Sequence, residues 1–306
     1  MKSDIPPEVE AVLAKLTGAY ADSTVKGYRY NVRFFTQWCS EQAIEPLKAK
    51  PADYVRYVAF MQTRYVSSTI ENRIKAMTVI LKLLGLPMHS EAPPVRLAMK
   101  RMRRAIGKPP KQATPLTRDV LERLKNVCDT NPTGIHDCLM LQLGYETLRR
   151  STELCAFNFD DIQKLANGKY VIVVRRSKDD QEGYGKLVPI SRTLRTLTTL
   201  WRHHVHSQGI PSTGPLLRQI DKQGQISKRR LHPSRLNATL AELQLRAELT
   251  DIGKLTGHSF RVGAALDMLV RGVPVQKIML RGGWKSRSVT LDYLRSWVGL
   301  ELDIYE

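Results

Sequence analysis

Apolar residues recur at intervals of three and four along most of the chain, the period of an amphipathic helix. In DSTVKGYRYNVRFFTQWCSEQ, from Asp22, the residues Val25, Tyr28, Val32, Phe35 and Trp38 share one face behind an Asp22/Ser23 cap signal. SSTIENRIKAMTVILKLLG repeats the pattern with Ile70, Ile74, Met77, Leu81 and Leu84. Ser68 and Glu71 there have the spacing of a capping box, and Gly85 closes the helix. A further helix starts at Pro93-Pro94 and runs through VRLAMKRMRRAIG. The first third is therefore predicted to be a compact, all-helical domain of four or five short helices.

The stretch KRMRRAIGKPPKQATP changes character: six Lys or Arg stand between residues 100 and 111, and Pro109-Pro110 stops any helix. Such runs are usually solvated faces. Lying at a Pro/Gly break between two patterned regions, this one is expected to be an interdomain linker that tracks phosphates. Beyond it the pattern is mixed. Helices are predicted near 117–128, 134–146 and 150–157. GKYVIVVRRSKDDQEGYGKLVPIS then reads as a hairpin whose first strand ends in Arg175, Arg176 and Lys178. PLLRQIDKQGQIS reads as a smaller hairpin, after which helices return through residue 297.

Charge narrows the class of partner. The 306 residues hold 48 Lys and Arg against 29 Asp and Glu, a formal net of +19. The excess is not a tail: residues 1–107 carry +8 and residues 108–306 carry +11. Both halves are expected to touch one polyanion, most simply nucleic acid. Cys39, Cys128, Cys138 and Cys155 form no CxxC pair and no metal-like spacing with histidine, so they read as reduced thiols. No stretch approaches the roughly 20 apolar residues of a membrane span. The opening MKSDIPPEVE is unlike a signal peptide, so a soluble, intracellular protein is expected.

Candidate chemistry lies in two places. In GYETLRRSTELCAF, Arg150 and Glu153 are three apart and share a helix face; alone, such a pair is ordinarily a surface ion pair worth roughly 0.2–0.5 kcal/mol. In GHSFRVGAALDMLVRGVPVQKIMLRGGWKSRSVTLDYLRSW, His258 and Arg261 are again three apart, Trp284 follows a Gly-Gly turn, and Tyr293 stands nine residues later. One at a time, these read as a core histidine, a core tryptophan and a surface tyrosine. Their order, Arg…Lys…His-x-x-Arg…Trp…Tyr, is far more specific.

That order, carried by RRSTEL, HSFRVGAA, GGW and LDYLRSW, resembles the tyrosine recombinase (phage integrase) family, and within it the Cre-like members, over nearly the whole chain. The resemblance implies an all-α, SAM-like core-binding domain over 1–106 and a basic linker over 107–112. A mainly α, α+β catalytic domain with a small β-hairpin follows over 113–306. Carried over residue by residue, Arg150 stands three before the Glu of R-x-x-E-L, and Lys178 is the hairpin lysine. His258 and Arg261 are the His-x-x-Arg pair, Trp284 fills the His/Trp position, and Tyr293 is the nucleophile.

The chemistry explains the residue types. Two permanently charged guanidinium forks, Arg150 and Arg261, can clamp the non-bridging oxygens of a phosphodiester as charge develops on them. A tyrosine with an ordinary pKa near 10 needs a proton acceptor, for which His258 is suited. Trp284 can donate one N–H to a phosphate oxygen but moves no proton. Lys178 is the expected acid for the leaving 5′ oxygen, and Glu153 is expected to orient the cluster. The arginines do the electrostatic work of a metal, so no metal or other cofactor is expected.

By resemblance the chain is a site-specific DNA recombinase. It would clamp double-stranded DNA, form a 3′-phosphotyrosyl link, and act as a homotetramer on two sites through a Holliday junction in integration, excision or resolution. Arg101, Arg103, Arg104, Lys108, Arg175 and Arg176 are expected to meet DNA, and the location to be cytoplasmic and nucleoid-associated. The same chemistry would also serve relaxation of supercoils; the full residue set argues against the other alternative, a DNA-binding regulator that kept the fold and lost the reaction.

Overall fold

The structure, a computed structural model, describes residues 5–107, 112–175, 185–288, 290 and 291. The chain divides into two compact units, Met1–Pro110 and Lys111–Glu306. Among the described residues no helix is long and apolar enough to cross a membrane.

The first unit is helical: α1 (Pro7–Lys15), α2 (Asp22–Glu41), α3 (Pro51–Gln62), α4 (Ser67–Leu83) and α5 (Pro93–Ile106). Proline opens α1, α3 and α5, where its missing N–H costs nothing and its fixed φ suits the first turn. The predicted face of α2 is turned inward, with Val25, Val32, Phe35 and Trp38 buried. Phe35 stacks on Tyr54 at 5.1 Å and meets Tyr57 edge-on at 4.9 Å. Arg73 of α4 is also buried, its guanidinium 3.3 Å from the Phe34 ring centre and 4.0 Å from that of Tyr65.

Two local expectations are corrected here. The capping box does not form, because α4 starts at Ser67 behind an extended Val66. Ser67 is buried, so packing draws the helix start forward, and Glu71 pairs instead with Arg103 of α5 at 2.7 Å. Residues 100–106 carry two expectations, a helix by period and linker by charge, and it is the helix that forms. Met99 and Met102 are buried, and that inward face carries α5 on to Ile106, where Gly107 ends it at φ +73°.

The second unit contains α6 (Arg118–Asn126), α7 (Pro132–Thr147), α8 (Ser151–Ala156), then β1 (Ile162–Lys164), β2 (Tyr170–Val174) and β3 (Lys186–Pro189). These strands form one antiparallel sheet in the order β1-β2-β3, with Ile162 opposite Ile172 and Val174 opposite Lys186. Next come α9 (Arg192–Ser207), the hairpin β4 (Arg218–Ile220) and β5 (Ile226–Arg230), α10 (Pro233–Arg246), α11 (Ser259–Val270) and α12 (Val275–Gly282). The mainly helical, two-part fold class is thus as expected, with β1 and α9 additional. In α9 the buried residues Leu194, Thr198, Trp201 and Val205 lie at helical spacing, and the Ser191 side chain caps the start by accepting from Leu194 N at 3.1 Å.

The helix α11 is the centre of this unit. Its residues from Ser259 to Leu266 are all buried, leaving no polar face over two turns. Asp267 ties it to two neighbours, accepting from the Tyr145 hydroxyl of α7 at 2.6 Å and from Arg118 N of α6 at 2.7 Å. Gly263 admits a still closer approach: a Cβ there would stand 2.0 Å from the Leu116 carbonyl oxygen. Gly263→Ala is therefore expected to cost about 3 kcal/mol or more, lowering Tm by on the order of 10 °C. Gly27→Ala, with nothing within 4 Å of the added carbon, should leave Tm unchanged or slightly raised in the same thermal melts.

Candidate active site

The two arginines of LRRSTEL are separated by backbone geometry. Leu148 ends α7 in the left-handed conformation at φ +54°, and Arg150 is extended at φ −66°, ψ 154° before α8 begins. Neighbours in extended backbone point to opposite sides. Arg149 accordingly turns inward and is 2% exposed. Its Nε donates to Thr147 O at 2.9 Å and its Nη2 to the Arg281 carbonyl, which docks α12 onto the end of α7. Arg150 turns outward with its side chain 27% exposed. Its Nη1 donates to Glu153 Oε1 at 3.0 Å, while Arg149 Nη1 lies 4.0 Å from Glu153 Oε2. Glu153 is itself buried, so this pair is far from the ordinary surface ion pair.

Arg261, fully buried on α11, donates through Nη1 to Gly282 O at 2.9 Å and to Leu148 O. Its guanidinium carbon stands 4.4 Å from the Trp284 ring centre. Trp284 is packed with Leu148, Ala264, Ala265, Leu266 and Ile278. The indole therefore forms an apolar floor under the guanidinium, and a cation held over a desolvated ring gains about 2 kcal/mol.

His258 precedes α11, in a loop fixed by Gly257 N donating to Asn237 Oδ1 of α10 at 2.9 Å. Gly257 lies directly against Ser151 of α8, where a Cβ would come 2.0 Å from the hydroxyl oxygen. This contact brings the histidine loop to the start of α8. Burial, then the charges of Arg261 and Arg150, hold the His258 imidazole below its ordinary pKa of 6.5. A neutral imidazole between two guanidinium groups can accept a proton at neutral pH. The sequence segments around residues 150 and 260 thus converge, and Arg150, Glu153, His258, Arg261 and Trp284 form one electrostatically connected cluster.

The model of the family described as "Phage integrase family" matches residues 115–298, well over half of the chain. The chain belongs to the phage integrase family. As a member it is a tyrosine recombinase, an enzyme. The protein is similar to recombinase cre of Escherichia phage P1, 26% identical over 298 residues that cover 91% of this chain and 85% of that protein. An integrase/recombinase xerD homologue of Selenomonas ruminantium is 23% identical over 92% of this chain and 83% of its own length. The fold is shared with a solved XerH site-specific recombinase bound to palindromic difH substrate (TM-score 0.67, 14% identity, 96% of this chain, 80% of that chain). It is shared equally with a Tn1549 transposon integrase in complex with transposon right end DNA (TM-score 0.67, 15% identity, 94% of each chain).

Lys108, Arg176, Lys178 and Tyr293 lie outside the described residues of this integrase-family chain. Of the other expected DNA contacts, Arg101 and Arg104 are exposed on α5. Arg103 is held by Glu71, and Arg175, beside the sheet, is held by the buried Asp161. Sequence reasoning missed an exposed stripe on α2, where Lys26, Tyr30, Arg33 and Gln37 line up at intervals of three and four. Its signal was available: these polar positions fall between the apolar ones that defined the helix.

The two arginines should separate in stability. Arg149→Ala strips donors from two carbonyls and a cation from beside buried Glu153, an expected loss of about 3 kcal/mol. Arg150→Ala removes a partly exposed group and should cost under about 1 kcal/mol. Urea unfolding of both variants measures the difference, and equal losses would contradict the inward and outward placement.

Proposed function

We propose that this recombinase breaks and rejoins duplex DNA at specific sites by transesterification at Tyr293. The observation that supports it most is the charge of the cluster: Arg149 and Arg150 meet the buried carboxylate of Glu153, and Arg150 and Arg261 both act on an imidazole held towards its neutral form. A monoanionic phosphodiester would relieve that excess, and its pentacoordinate transition state, carrying more charge, would relieve it further. Arg150 and Arg261 are the clamp in this reading, because Arg149 is committed to carbonyls of its own unit. Glu153 positions Arg150, and Trp284 supports Arg261 from beneath.

In the first step the Tyr293 oxygen attacks phosphorus, its proton passing to His258. The bond to the 5′ oxygen breaks, and that oxygen takes a proton from Lys178. The products are a 3′-phosphotyrosyl linkage and a free 5′ hydroxyl. Attack on the linkage by the 5′ hydroxyl of the partner strand reverses these transfers and releases Tyr293. One phosphodiester replaces another, so no nucleotide hydrolysis is required. Two such exchanges in a homotetramer on two sites, through a Holliday junction, would give integration, excision or resolution. The positive first unit, with Arg101 and Arg104 exposed on α5 and the α2 stripe, supports a DNA-binding role for it. The setting proposed is the cytoplasm, where the DNA is.

The test uses a nicked suicide duplex bearing the site that the protein selects from DNA flanking its own gene. Wild-type protein should accumulate a covalent adduct, and Tyr293→Phe should bind with similar affinity yet form none. An adduct persisting in that variant would overturn the assignment.

A pH profile tests His258. Its folded pKa is depressed, so the base form persists below pH 6.5. The second-order rate of adduct formation, which reports the free enzyme, should hold through pH 6.5 and decline only at lower pH. His258→Gln should be slow, with that acid limb absent. A limb at or above pH 6.5 in wild-type protein would contradict the role of Arg150 and Arg261 in depressing it.

A further inference from the structure

The stretch that closes α12, Arg281-Gly282-Gly283-Trp284, serves the cluster through its main chain. The Arg281 carbonyl accepts from Arg149 Nη2, and the Gly282 carbonyl accepts from Arg261 Nη1 at 2.9 Å. Gly283 is left-handed at φ +73°, and the turn folds Trp284 back so closely that a Cβ on Gly282 would stand 1.9 Å from the indole ring. Arg261 is thus oriented by two carbonyls from different elements, Gly282 O at the end of α12 and Leu148 O just after α7. The direction of its fork depends on how those two chain ends are spaced.

The Arg281 side chain spans that spacing. Its Nε donates to Glu146 O in the last turn of α7 at 2.8 Å, and its Nη2 donates to Pro189 O at the end of β3 at 3.0 Å. Glu146 lies two residues before Leu148, and Gly282 directly follows Arg281. One planar guanidinium therefore fixes α12 against α7 and the sheet, beside both carbonyls that hold Arg261. Its partners are 135 and 92 positions away in the chain, so this is not an arginine capping the last turn of its own helix. Nor is it an ordinary ion pair, because the Glu146 carboxylate is engaged by Ser191 N at 2.8 Å and Gln142 Nε2 at 2.7 Å.

Resting on the recombinase reading, we infer that Arg281 is a positioning residue for strand cleavage: it holds the ends of α7 and α12 at the spacing that directs the Arg261 fork and seats Trp284 beneath it. Arg281 touches no substrate and acts through Arg261. A rigid fork of donors meets two carbonyls at fixed angles, which a lysine ammonium on its flexible stem does less well.

The test compares Arg281→Met and Arg281→Lys in the full chain, well below their melting temperatures. A displacement of about 1 Å at a reacting group costs on the order of 100-fold in rate, so Arg281→Met should form adduct that much more slowly at saturating suicide duplex. Its Kd for intact duplex should stay within about twofold, since the lost interaction acts in the transition state. Arg281→Lys should recover part of the rate. An Arg261→Lys background separates positioning from general loosening: there Arg281→Met should slow the adduct by less than about threefold more, the fork it directs being already gone. The indole N–H resonance of Trp284, assigned by its loss in Trp284→Phe, should move in Arg281→Met while that of Trp201 stays in place. Losses that multiply in the double variant, an unchanged rate, no recovery with lysine, a loss carried by Kd alone or an unmoved Trp284 signal would each overturn the inference. If Arg281→Met does not fold, Arg281→Lys carries the same measurements with smaller effects. If wild-type protein itself forms no adduct, the recombinase reading fails separately, and the tryptophan spectrum still decides whether Arg281 sets the Arg261–Trp284 geometry.

Discussion

Like charges must be held together in the cluster around Glu153, and its architecture follows from that constraint. Arg149 and Arg150 share Glu153, a single buried carboxylate, while Arg261 is held by the Leu148 and Gly282 carbonyls above the Trp284 ring. The carbonyls and the ring offer partial negative charge that fixes the direction of the Arg261 fork.

Rigidity of the surrounding helices makes that arrangement durable. Arg261 rides on the buried opening turns of α11, Gly263 of the same helix lies against Leu116, and Arg149 clips the α12 end to α7. Each contact runs through backbone atoms, which have little room to relax. A guanidinium positioned this way keeps its orientation without rotamer entropy to lose when substrate binds.

Much of this was legible in the sequence, for reasons that differ by element. The α2 and α5 faces and the β2–β3 pairing follow from periodicity, because a buried face leaves its period in the residue types. The residues of the cluster follow from motif order, since Arg150, Glu153, His258 and Arg261 sit at short local spacings. What periodicity could not supply was tertiary competition. Ser68 and Glu71 have the right spacing for a cap, yet burial of Ser67 moves the helix start and the α5 Arg103 captures Glu71. The basic run before Gly107 read as helix by its period and as linker by its charge, and burial of Met99 and Met102 decided for the helix. The helix α9 was masked by its threonines, four in seven positions, which disguise a clear apolar stripe. Arg281 carries no motif at all; only its bonds to the distant Glu146 and Pro189 carbonyls show what it holds.

The exposed stripe on α2 stands apart from all this. Lys26, Tyr30, Arg33 and Gln37 occupy the face opposite Val25, Val32 and Trp38, so replacing any of them disturbs no packed neighbour. The residues around Glu153 have no such freedom, because each is wedged between backbones. The molecule therefore keeps its tightly packed cluster and its adjustable surface on separate mechanical supports. Under selection the second can drift through many sequences at little cost in stability, whereas each change in the first must be matched by a backbone that has nowhere to go.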